Sequence, residues 1–115
     1  MIKFVSENKR YLVAVSGGPD SMALFDMVRS SGAYLEAAHV NYHKRDSADR
    51  DEKIVSSYCE KYHIPFHLLD YEDDTQRGNF QAAARKARYE FFAKICEEEN
   101  LDEVLVAHQI GRAHV

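Results

Sequence analysis

The sequence predicts an α/β fold, a parallel sheet with helices on both faces. Two observations carry this. Four short apolar runs, Tyr11–Val15, Leu35–Val40, Pro65–Leu69 and Leu101–Ala107, have the length and composition of buried strands. Between them lie three longer segments whose apolar residues recur at helical spacing. Strand and helix alternate three times and the pattern closes on a strand. Right-handed crossovers turn that order into a parallel sheet. A chain of 115 residues fits one domain. The fourth strand has no covering helix after it, so the fold is expected to be incomplete at the C-terminus.

Each element has its own signal. The first helix, Ser21–Ser30, carries Leu24, Phe25 and Val28 on one face, and Gly32 stops it. Asp46 or Ser47 can cap a second helix, with Ile54, Val55, Tyr58, Cys59 and Tyr62 on its apolar side. Pro65 cannot continue that helix and also restrains Ile64. Asn79 can cap a third helix reaching about Asn100, with Phe80, Ala84, Ala87, Phe91 and Ile95 on the buried stripe. Tyr89 and Phe92 read as further packing residues.

Composition narrows the function classes. The net charge of −4 opposes a free-standing basic nucleic-acid binder, although it leaves room for a local basic patch. Cys59 and Cys96 form no C-x-x-C pair, so neither a zinc site nor a redox dithiol is indicated, and both read as buried reduced thiols. His43, His63 and His67 show no metal-ligand spacing, and His39 reads as a core histidine. The acidic Glu72, Asp73 and Asp74 read as a solvated loop. No stretch is long enough to span a membrane and the N-terminus lacks a signal sequence, so a cytoplasmic protein is expected.

The chemistry concentrates in Ser16-Gly17-Gly18-Pro19-Asp20-Ser21, between the first strand and the first helix. Such a loop presents consecutive N–H groups and a helix dipole to an anion. Gly17 and Gly18 are expected to allow positive φ and close approach of phosphate oxygens. Ser16 and Ser21 add hydroxyl donors. Asp20 would repel a bare phosphate, and fits if Mg²⁺ lies between them. Neither G-x-x-x-x-G-K-[ST] nor G-x-G-x-x-G is present. In parallel sheets ligands sit at the carboxyl ends of strands, where this loop, Asn41–Arg45 and the residues from His108 onward are expected to converge. Gln81, Arg85 and Arg88 share one face of the third helix and suit phosphate neutralisation. Asn41 could orient a ligand, and Lys44 and Arg45 could meet RNA phosphates.

SGGPDS resembles the pyrophosphate loop of the PP-loop ATP pyrophosphatases, which bind ATP on a Rossmann-like sheet. Together with HVNYHKRDSADRDE and GNFQAAARKARYEFF it resembles the tRNA(Ile)-lysidine synthetase branch of that family, from about Tyr11 to Gln109. The resemblance implies an ATP-dependent carbon–nitrogen ligase that adenylates a cytidine of tRNA(Ile) with a CAU anticodon and then admits L-lysine. It implies ATP and Mg²⁺ as cofactors and allows a homodimer. By that resemblance Ser16, Gly17, Gly18, Pro19, Asp20 and Ser21 bind ATP, and Asp20 holds the metal. Asp20, Arg85 and His108 are the catalytic candidates; Asn41, Arg45 and Arg88 are the substrate-binding ones. Two other readings stay open: a nucleotide-binding module without catalysis, and a PP-loop enzyme of tRNA thiolation. The paired cysteines or cluster ligands that thiolases often use are not suggested by Cys59 and Cys96.

The last six residues, Ile110–Val115, fit neither a helix after the fourth strand nor the family pattern, which continues to an acidic pair. They also translate ATC GGA AGA GCA CAC GTC, part of a common sequencing adaptor. Residues 1–109 are therefore expected to be the N-terminal part of a PP-loop domain, and 110–115 a non-native tail without function.

Overall fold

The computed structural model describes residues 5–43, 46–72 and 80–106, without the side chains of Phe80 and Gln81. The elements follow in the order β1 (Arg10–Ala14), α1 (Pro19–Ser30), β2 (Tyr34–Asn41), α2 (Ala48–Tyr62), β3 (Phe66–Asp70), α3 (Phe80–Glu99) and β4 (Glu103–Val106). The four strands form one sheet in the order β3-β2-β1-β4. All three pairings are parallel. β1 runs beside β2 from Arg10↔Tyr34 to Ala14↔Ala38, and beside β4 from Tyr11↔Glu103 to Ala14↔Val106.

This order explains the two helical layers. The chain steps outward from β1 to β2 to β3, then returns across the sheet to β4. Right-handed crossovers in opposite directions must pass over opposite faces. Accordingly, Tyr11, Val13 and Val15 pack with Phe25 and Val28 of α1 and Val55 and Cys59 of α2. Leu12, between them, points the other way and packs with Phe92 and Ile95 of α3. The period-two alternation of a strand thus feeds two cores, which is why β1 reads as unbroken apolar sequence. The reversal of direction falls between β1 and β4, so their carboxyl ends border a crevice.

The opposite edge of the sheet is tied by polar groups. The Arg10 N–H donates to Asp102 Oδ2 at 2.8 Å, and the Asp102 N–H donates to the Arg10 carbonyl at 2.7 Å. The Arg10 guanidinium donates to the carbonyls of Asn100 and Glu99, both at 3.1 Å. It thereby satisfies carbonyls that the last turn of α3 leaves open, at the negative end of the helix dipole. Between α1 and α2, the Tyr58 hydroxyl donates to Asp26 and accepts from Arg29, each at 2.6 Å. The Tyr58 bond and a direct bond from the Arg29 guanidinium lower the Asp26 carboxyl, while burial and the hydrogen bond to Asp26 push Tyr58 up to about 12.

Several boundaries differ from those the sequence predicts. β1, β2 and β3 are displaced or extended by a residue, because ladder hydrogen bonds rather than apolarity set their ends. α1 begins at Pro19, whose missing N–H costs nothing in a first turn. Ser47 is the N-cap residue of α2, yet its hydroxyl makes no capping bond. α2 is capped by His63, which takes the left-handed conformation at φ 57°, with the Ile64 N–H reaching back to the Cys59 carbonyl at 2.8 Å. Ile54 is not on the buried side, being 39% exposed. On α3 the buried residues are Ala84, Phe92 and Ile95, whereas Ala87 and Phe91 are half-buried. Cys59 is buried, its thiol pushed up to about 11 by desolvation; Cys96 is only half-buried. No helix among the described residues is long and apolar enough to cross a membrane. Residues 107–115, including the proposed tail, lie outside the described residues.

The packing gives a direct contrast. Phe25 is fully buried between β1 and α2, so Phe25→Ala should lower unfolding free energy by about 3–5 kcal/mol in urea titrations. Ile54→Ala, on the exposed side of α2, should cost less than about 1 kcal/mol.

Candidate functional site

The loop after β1 is held from three sides. The Val15 N–H donates to the Ala38 carbonyl at 2.9 Å, carrying the β1–β2 ladder one residue past the strand. The Val15 carbonyl accepts from His39 Nδ1 at 2.7 Å. This carbonyl can only accept, so His39 carries its proton on Nδ1 there, and the expected core role for His39 holds. The Ser16 N–H donates to the buried Ser21 hydroxyl at 3.0 Å, closing the loop onto the first turn of α1.

Gly17 adopts φ +91°, and a Cβ there would lie 2.7 Å from both the Asp51 Cβ and the Asp51 carbonyl oxygen of α2. It therefore needs glycine twice, for backbone and for space. Gly18 differs from expectation: its φ is −72° with ψ 163°, extended backbone open to other residues. It serves as N-cap of α1, with no side-chain cap bond. The first-turn N–H groups of Asp20 and Ser21 have no intrahelical acceptor and stand at the positive end of the helix dipole. Asp20 is exposed there, with no ion-pair partner among the described residues.

On the α3 side of this loop is a cleft of about 450 Å³, lined by Ser16, Val40, Tyr42, Arg85, Arg88 and Val106 among others. It sits at the carboxyl ends of β1, β2 and β4, at the reversal of strand order. Arg88 lies with its guanidinium 5.4 Å from the Tyr89 ring centroid. Tyr89 is no packing residue. It is 56% exposed and lines the cleft. Phe92, one turn on, meets the expectation. A smaller cavity of about 140 Å³ shares Ser16, Val40 and Tyr42 and continues to Asn41, His43 and Asp51.

Asn41 is buried and fully engaged. Its amide donates to Asp49 at 3.1 Å and Glu52 at 3.0 Å, and its side-chain oxygen accepts from the His43 N–H at 2.9 Å. The side chain expected to orient a ligand is thus spent on shaping the β2–α2 turn. His43 Nε2 contacts Asp70 of β3, which raises the imidazole above its ordinary value. Of the predicted site residues, the structure brings together Ser16, Gly17, Gly18, Pro19, Asp20, Ser21, Arg85 and Arg88 around one end of the sheet. Arg45 and His108 lie outside the described residues, as do Lys44, Asp73, Asp74 and the side chain of Gln81. Sequence reasoning missed Tyr42 and Asp51. Tyr42 is one residue past β2, and its position at a strand's carboxyl end was its only signal.

Gly17→Ala should destabilise the protein by about 2 kcal/mol or more, and Gly18→Ala by about 1 kcal/mol or less, in paired denaturant titrations. His43 gives a pH test. Asp70 favours the charged imidazole, so its contribution is present below the ordinary midpoint near 6.5 and fades as pH rises through the higher folded midpoint. Proton NMR should place the His43 midpoint above 6.5, and Asp70→Asn should bring it down.

The family model for the PP-loop domain matches residues 1–111. The tRNA(Ile)-lysidine synthase of Mycoplasmopsis pulmonis is 48% identical over 97 residues, covering 84% of this chain and 33% of the relative. That of Bacteroides thetaiotaomicron is 40% identical over 110 residues, covering 91% of this chain and 26% of the relative. The chain therefore spans about a third, or less, of the length of these curated relatives. Among solved structures, the U34-tRNA thiolase NcsA from Methanococcus maripaludis superposes with a TM-score of 0.68 at 18% identity, over 90% of this chain and 39% of that one. At that identity the likeness shows the fold alone, an α/β sheet of the Rossmann-like kind. The sheet order, the loop after β1 and the match over residues 1–111 agree: the chain belongs to the PP-loop domain family.

Proposed function

We propose that this chain is the nucleotide-binding part of a tRNA(Ile)-lysidine synthase. The observation that carries the reading is a cleft lined by Ser16 of the loop together with Arg85 and Arg88 of α3. A cleft of that size suits a small-molecule ligand. Ser16 lines one wall, at the start of the loop whose helix N–H groups have no side-chain cap, and two arginines line the other; together these suit the phosphates of ATP. The names of the relatives supply an isoleucine tRNA as the substrate class and lysidine as the product; the reading adds a CAU anticodon and L-lysine as the second substrate.

The reaction runs in two steps. The C2 oxygen of the cytidine attacks the α-phosphorus of ATP, the bond from that phosphorus to the bridging oxygen breaks, and pyrophosphate leaves. The lysine amine then attacks C2 and the C2–O bond breaks, releasing AMP. Carbonyl oxygen leaves poorly; an adenylate leaves well. In this scheme the N–H groups of Asp20 and Ser21 and the Ser16 hydroxyl hold phosphate oxygens, and Ser21 also fixes the loop through the Ser16 N–H. Arg85 stabilises the charge that builds during transfer, and Arg88 orients the substrate side of the cleft. Asn41 acts by shaping the turn that begins at Tyr42. Asp20, an exposed carboxylate without an ion-pair partner among the described residues, fits a hard cation beside phosphates. A Mg²⁺ held there would neutralise phosphate charge.

A second reading is a nucleotide-binding module that holds ATP without turning it over. Pyrophosphate release that depends on both tRNA(Ile) and lysine would exclude it. In the protein that turns over, Arg85→Ala should slow that release by about 100-fold with little change in ATP affinity. Asp20→Ala should abolish Mg²⁺-dependent ATP binding measured by calorimetry. Unchanged affinity would remove Asp20 from the site.

A further inference from the structure

A second cluster of ligating side chains lies at the other end of the sheet, under the C-terminal turn of α3. Glu36 of β2 is 2% exposed, the most deeply buried carboxylate among the described residues. His67 of β3 places Nε2 at 2.7 Å from Glu36 Oε1, and the Tyr34 hydroxyl donates to Glu36 Oε2 at 2.7 Å. Glu99 of α3 brings a second carboxylate: one ligand atom from each of Glu36, His67 and Glu99 lies within 4.8 Å of the other two. Register explains the meeting. Ala38 pairs with His67, which puts the His67 side chain on the α3 face beside Glu36. Cys96 is one turn before Glu99 on the same helix face and lies close enough for the Glu36 charge to hold its thiol up, after burial.

We propose that Glu36, His67 and Glu99 form a binding site for a divalent metal ion of the zinc class, remote from the cleft. A buried carboxylate must be compensated. His67 and the Tyr34 hydroxyl each give Glu36 one contact, with no fixed positive charge beside it, and the Glu99 carboxylate has no hydrogen-bond or ion-pair partner among the described residues. Two carboxylates and one imidazole around one point are a donor set for a borderline cation such as Zn²⁺, more than for Mg²⁺, which prefers oxygen alone. The Tyr34 hydroxyl on Glu36 is the outer contact that orients a ligating carboxylate. A metal bound here would tie β2 and β3 to the end of α3.

The test is calorimetric titration of the chelator-treated chain with Zn²⁺ at pH 7. One equivalent is expected to bind, with affinity lowered at least about tenfold in both His67→Gln and Glu99→Gln, and unchanged in His43→Gln. The last variant removes the imidazole that faces Asp70 at the opposite end. Circular dichroism confirms folding; if His67→Gln is unfolded, the half-exposed Glu99→Gln decides alone. No Zn²⁺ binding by the parent, or full affinity retained in Glu99→Gln, would overturn the site, the latter marking an adventitious ion only. None of these outcomes depends on ATP or tRNA.

Discussion

The close approach of Gly17 to α2 is the constraint on which the functional end of the molecule depends. With no side chain and φ +91°, Gly17 lets the loop after β1 rest on the backbone and Cβ of Asp51. Any Cβ would push the loop off the helix. That contact sets where Gly18 and Pro19 begin α1, and so where the open N–H groups of its first turn are aimed. The bond from the Ser16 N–H to Ser21 and the His39 contact to the Val15 carbonyl hold the same loop from inside. An anion site made from backbone needs this rigidity, since its donors cannot adjust one at a time.

The second constraint is topological. Because β1 lies between β2 and β4, its two faces are claimed by different helices: α1 and α2 on one side, α3 on the other. The loop after β1 belongs to the first layer, and Arg85 and Arg88 belong to the second. They meet only past the carboxyl edge of the sheet, where no strand separates them. The cleft is thus a product of strand order, and its two walls come from segments some seventy residues apart in the chain. The opposite edge shows the complementary case. There Arg10, Asp102 and the end of α3 close the layers together, and Glu36, His67 and Glu99 converge in the space beneath.

Much of this was legible in the sequence, for physical reasons that differ by element. The strands were visible because a sheet covered on both faces demands unbroken apolar runs. The loop was visible because glycine, proline and aspartate interrupt two well-patterned elements. The position of Arg85 and Arg88 on one face followed from helical spacing. What remained hidden depends on register. Nothing in LEAAHV marks Glu36 as buried, since a lone glutamate in a strand reads as solvent-facing. Its partners lie on β3 and α3, too distant for any spacing rule. The sign of φ at Gly18 was hidden too, because two adjacent glycines look alike until a neighbour is placed against one. Tyr89 sits one turn from Phe92, and helical spacing does not say which of the two the sheet covers.

The central claim is that the Ser16–Ser21 loop and the α3 arginines form one ATP site. Amide NMR of the labelled chain, titrated with Mg²⁺ and a non-hydrolysable ATP analogue, tests it most directly. The account predicts saturable shifts at Gly17, Asp20 and Ser21 together with Arg85, Arg88 and Tyr89. Shifts confined to the outer face of α1 and α2, or to the loop with none on α3, would contradict it.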